Sequence, residues 1–156
     1  LLKSYKIGLL TLIIRKSFLQ KLKFSFNPSL HFVGDFDLVI RLSSICKMGR
    51  ANEYLSVYRI HKNNESLKDL EKQINEIEFW YFEMKNNKKI SDNSNFKYIN
   101  YKILYLRGMQ HILNKQKSKV LYFFYQLPYS KMKIKLLIAL LLPLSLLKKL
   151  KIYSAN

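Results

Sequence analysis

Two carboxylates one residue apart open an apolar segment at Gly34-Asp35-Phe36-Asp37-Leu38-Val39-Ile40-Arg41-Leu42, and a histidine follows downstream in Tyr58-Arg59-Ile60-His61. An aspartate at a helix N-terminus is held ionised and can accept a proton, while a neutral imidazole can ligate a metal. This is the layout of an acid/base or metal-assisted site. The same residues also fit a structural account, with Asp35 as an N-cap, Asp37 as a first-turn partner of the helix dipole and His61 as a surface residue. Little else in the chain carries chemistry. His31 and His111 have no supporting context, and Cys46, the single cysteine, lies in the apolar run from Leu38 to Met48 and reads as a buried thiol of a reducing compartment. The four glycines, Gly8, Gly34, Gly49 and Gly108, form no phosphate-binding loop.

The elements that must hold these residues follow from periodicity. Ile7 to Ile14 is a short apolar run with β-branched residues between Lys6 and Arg15, which predicts a buried strand; Arg15 to Leu22 predicts a short helix. Asn27-Pro28-Ser29 makes Phe24 to Phe32 a loop leading to the Gly34-Asp35 corner. Leu38, Val39, Leu42, Ile45 and Cys46 recur at three and four, so Asp35 to Lys47 reads as a helix with Asp35 or Gly34 near its N-cap and Gly49 closing it. Glu53 to Ile60 alternates like a strand. The strand, helix, strand order predicts an α/β fold with a partly parallel sheet.

After His61 the pattern is helical. Ser66 with Asp69 resembles a capping box opening a helix to about Asn86, with Leu67, Leu70, Ile74, Ile77, Tyr81 and Met84 along one side. Lys85 to Asn95 reads as a polar linker, and helices are expected over Phe96 to Leu113 and Val120 to Leu127. The aromatic residues of these helices suit either a core or a face at lipid headgroups.

Charge divides the chain more sharply than composition does. The net charge is +18 over 156 residues, but Leu1 to Met84 holds thirteen Lys or Arg against nine Asp or Glu, and Lys85 to Asn156 holds fifteen against Asp92 alone. Such an excess calls for a polyanionic neighbour. Twelve mostly apolar residues from Leu136 to Leu147, bracketed by lysines and interrupted by Pro143, are too few to cross a bilayer, which takes roughly 20. They suit a segment lying at an anionic membrane surface. An unbroken leucine block and the lack of a recognisable motif argue against nucleic acid. The first residue, Leu1, with no signal-peptide pattern after it, suggests a piece of a longer protein.

Several blocks taken in order resemble the second half of a family 2 glycosyltransferase: Thr11 to Ser17, Phe26-Asn27-Pro28-Ser29-Leu30, Gly34 to Leu42, and Tyr58-Arg59-Ile60-His61 with Asn64 and Ser66. The likeness covers roughly Ile7 to Ser66, and its specificity lies in the order and spacing of the blocks. It implies a partial GT-A fold of the α/β class over residues 1–66, followed by a helical extension over 67–130 and a basic, apolar membrane-associating tail over 131–156. It implies inverting sugar transfer, in surface polysaccharide synthesis, from a nucleotide-sugar donor to a glycan or lipid-linked acceptor. Asp35 would be the catalytic base and Asp37 the second aspartate of the motif, with Gly34 departing from the glutamate common there. His61 would approach a divalent metal, Mn or Mg, bound to the donor diphosphate, and Arg41 and Arg59 would pair with Asp37 or with donor phosphates. No Asp-x-Asp donor motif precedes Ile7. The chain is therefore expected to be an acceptor-side piece of a bacterial-type enzyme, inactive alone and peripheral at the cytoplasmic face of the membrane. The competing expectation is a noncatalytic module that binds a membrane surface or a partner.

Overall fold

The computed structural model describes residues 1–59 and 69–150. Among them the chain forms a 3-10 turn at Leu9–Thr11 and eight helices, with no strand: α1 Lys16–Leu19, α2 Gly34–Ser43, α3 Leu70–Lys85, α4 Lys88–Ser91, α5 Lys97–Leu113, α6 Lys117–Gln126, α7 Lys131–Leu141 and α8 Leu144–Leu150. The α/β expectation, and the partial GT-A fold with it, is overturned. Ile7 to Ile14 contains only the 3-10 turn, and Ile13 is 94% exposed. The described part of Glu53 to Ile60 pairs with nothing as a strand, and Tyr54, Leu55, Val57 and Tyr58 face solvent. Alternation is a local signal, whereas a sheet needs several partners to satisfy its backbone and cover a face. Two short candidate strands do not supply that.

The chain divides into two units, Leu1–Phe96 and Lys97–Asn156. In the first, Asn27 makes the expected turn: its Oδ1 accepts from Ser29 N and its carbonyl from Leu30 N, both at 3.0 Å. The chain then enters α2, which buries Phe36, Asp37, Leu38, Val39, Ile40 and Leu42. That helix stops at Ser43 rather than running on to Gly49, since the hydroxyls of Ser43 and Ser44 donate back to Ile40 O and Arg41 O, and Cys46 Sγ to Leu42 O. Helix α3 starts one residue after Asp69, a left-handed N-cap (φ 42°) whose carboxylate accepts from Lys72 N. Ser66 and Leu67 lie outside the described residues. Ile74, Ile77 and Trp80 form the buried stripe of α3. The stretch read as a linker instead turns through α4 and buries Ile90. Tyr5, Phe36, Trp80 and Phe96 meet ring to ring, with Tyr81 stacked on Phe96 at 4.8 Å between centroids.

In the second unit, α5 carries α6 and α7, which also touch each other. Gly108 marks the closest approach: a Cβ there would lie 2.9 Å from both methyls of Leu136 and 3.5 Å from Phe123 Cβ. The absence of a side chain lets α7 seat a fully buried leucine on α5. Lys117 Nζ donates to Leu140 O near the end of α7, and Lys133 Nζ to Leu127 O beyond α6. Cations thus close helix C-termini, where the dipole favours them. The leucine run breaks at Leu142-Pro143, and Pro143 O accepts from Leu146 N and Leu147 N as α8 begins.

Candidate functional site

The two aspartates of α2 occupy different environments. Asp37, 2% exposed, has both carboxylate oxygens engaged: Trp80 Nε1 donates to Oδ1 at 3.0 Å, while Arg41 Nε and Nη2 reach Oδ2 at 2.8 and 2.6 Å. The spacing of four residues puts Asp37 and Arg41 one turn apart, and burial makes the pair charge-assisted rather than screened. Arg41 also donates through Nη1 to Phe24 O and through Nη2 to Ser25 O, each at 2.8 Å, and its guanidinium lies 4.7 Å from the Phe24 ring centroid. Its donors are spent inside the fold. They tie the incoming loop to α2 rather than presenting a cation to a ligand.

Asp35 sits two residues earlier, half-buried in the first turn, where its Oδ1 accepts from Phe36 N at 2.6 Å. It is not the cap. The N-cap position is Val33, and the capping carboxylate comes from α3: Glu76 Oε2 accepts from Phe32 N at 2.6 Å and Val33 N at 3.2 Å. The two carboxylates divide the work, Glu76 serving the N–H groups up to Val33 and Asp35 that of Phe36 inside the first turn. Tyr5 lies within its field. Burial, and then the Asp35 charge, push the Tyr5 phenol well above its usual range, and its buried hydroxyl has no hydrogen-bond partner among the described residues.

The remaining sequence expectations fall elsewhere. Arg59 is exposed on the segment that follows α2, and His61 lies outside the described residues. His111 stacks on Phe123 and its Nδ1 is 2.8 Å from Gln116 Oε1, a structural role within the second unit. Among the described residues no group of three His, Cys, Asp or Glu could hold a metal ion, and Asp37 is already committed to Arg41 and Trp80. The divalent metal implied by the resemblance therefore finds no fitting donor set there. A recess of about 210 Å³, lined in part by Ile40, Ser43, Ser44 and Ile90, opens at the other end of α2 from Asp35. It is not part of the carboxylate site.

Sequence reading missed Trp80 and Glu76. Trp80 was legible, standing three residues after Ile77 on the same helical face and being the chain's one tryptophan. Glu76 gave no signal, because it caps a helix more than forty residues earlier in the chain. No family model, curated protein or solved structure matches the chain.

Proposed function

We propose that the chain supplies the acceptor side of an inverting sugar transfer from a nucleotide sugar, with Asp35 as the general base. The observation that carries this reading is the division of labour in α2. Asp37, Arg41, Trp80 and Glu76 fix the helix mouth through polar contacts, and Asp35 adds a second, half-buried carboxylate in the first turn, its Oδ1 on Phe36 N. In the proposed step Asp35 takes the proton of the acceptor hydroxyl as its oxygen bonds to the anomeric carbon. The bond from that carbon to the diphosphate breaks, and its electron pair leaves with the nucleoside diphosphate. Asp37 is a positioning residue, and Arg41 holds the preceding loop. The order of the sequence blocks adds support; the α/β fold is no part of the proposal.

The test is nucleoside-diphosphate release by the complete protein, with a panel of nucleotide sugars and a lipid-linked acceptor. Asp35→Asn keeps the acceptor for Phe36 N, so helicity and donor binding should be retained while transfer falls by about 10²- to 10⁴-fold. Undiminished transfer by the variant removes Asp35 as base.

A further inference from the structure

Residues 97–156 contain twelve Lys or Arg and no Asp or Glu. A helix packed on a core ordinarily turns its apolar stripe inward and polar residues outward. Helices α6 and α7 instead carry large apolar side chains outward as well as inward, beside their lysines. Inward, Val120, Leu136 and Ala139 are fully buried. Outward, α6 exposes Leu121, Tyr122 and Tyr125, three and four residues apart, with Tyr129 just beyond its end at 90% exposed. On α7 the exposed positions Lys131, Ile134, Lys135, Ile138 and Leu141 again recur at three and four, and so share one face. Both helices lie on α5 and against each other.

We propose that the outward faces of α6 and α7 form a docking surface for an anionic bilayer. The tyrosine rings would sit at headgroup level, Ile134, Ile138 and Leu141 would reach the acyl boundary, and Lys131 and Lys135 would meet lipid phosphates. Charge complementarity selects this occupant. A second copy would set the same twelve cations against each other without a single carboxylate to offset them. Nucleic acid would satisfy the lysines and leave the isoleucines and leucines facing a hydrated phosphate backbone. Among the described residues no helix is long and apolar enough to cross a membrane, which fits a face that lies on the surface. The sequence places the tail at 131–156 and leaves the aromatic residues of α6 open between core and lipid face; Tyr122 and Tyr125 are exposed, and the proposed surface includes them. The proposal does not depend on sugar transfer, so lipid binding and Asp35 chemistry can fail separately.

The experiment is co-sedimentation of the intact chain with phosphatidylcholine vesicles with and without phosphatidylglycerol. Binding should require the anionic lipid and weaken with salt. Lys131→Gln with Lys135→Gln should weaken it on the order of twentyfold, about fivefold per lysine. Tyr122→Ser with Tyr125→Ser should weaken it about tenfold at both low and high salt, since ring burial is not screened. Circular dichroism should show wild-type helicity for both variants, whose changed side chains are exposed. Equal binding by wild type and both variants overturns the proposal, as does equal binding to neutral vesicles. So does salt-steep retention on duplex DNA without vesicle binding, or a dimer that the tyrosine changes dissociate while lipid is ignored.

Discussion

The two units hold their cations in opposite ways. In Leu1–Phe96, Arg41 is enclosed by the Asp37 carboxylate, two backbone carbonyls and the Phe24 ring, and a second carboxylate, Glu76, reaches across from α3 to cap α2. In Lys97–Asn156 there is no Asp or Glu to pair with, and Lys117 and Lys133 instead close helix ends on Leu140 O and Leu127 O, with Lys133 also over the Phe124 ring. One unit is specified by buried polar contacts between distant parts of the chain. The other is specified by apolar packing and carries twelve cations with no carboxylate of its own.

The comparison breaks first at Asp37. Asp37→Ala leaves the mostly buried Arg41 guanidinium and the Trp80 indole without their acceptor, and should cost about 3–5 kcal/mol in urea unfolding. Replacing the pair together, Asp37→Leu with Arg41→Met, should recover most of that loss, because an apolar pair of similar volume avoids the unpaired charge. Recovery would show that the pair serves geometry at the α2 mouth rather than net stability. A double variant as unstable as Asp37→Ala would mean that Arg41's grip on Phe24 O and Ser25 O carries the loop by itself.

A smaller effect of another kind is expected in the second unit. Leu136→Ala empties the contact that Gly108 makes room for, and should cost about 2–4 kcal/mol. Hydrogen exchange should speed up across α5 and α7 and stay unchanged in α2 and α3, if the two units open separately. Faster exchange in all four helices would erase the division. The character of the second unit could be read from the sequence, because its composition states its charge and the helical period of α5 and α6 survives without partners. In the first unit helices were legible as well, α2 through the spacing of Leu38, Val39 and Leu42 and α3 through that of Leu70, Ile74 and Ile77. The strands expected around α2 failed because a strand is defined by neighbours that local alternation does not reveal. Likewise the Glu76 cap and the Trp80 bond to Asp37 are long-range contacts with no local trace. Asp35 was visible as a residue, but the sharing of the α2 mouth between it and Glu76 was not.

The smallest effect concerns two tyrosines with the same perturbation and different causes. Burial alone pushes Tyr105 in α5 up to about 12, whereas Tyr5 is raised by burial and additionally by Asp35. A phenol whose folded-state pKa lies above its unfolded value stabilises the fold fully below pH 10, and that contribution is lost as pH climbs from 10 through 12. The difference between wild type and Tyr105→Phe isolates the phenol: the variant's urea midpoint should fall less steeply above pH 10. Asp35→Asn should then lower the pH at which Tyr5 ionises, read by ultraviolet difference against Tyr5→Phe, and leave the Tyr105 profile unmoved. If Asp35→Asn shifts neither tyrosine, Asp35 does not contribute to the field at Tyr5, and burial alone accounts for both phenols.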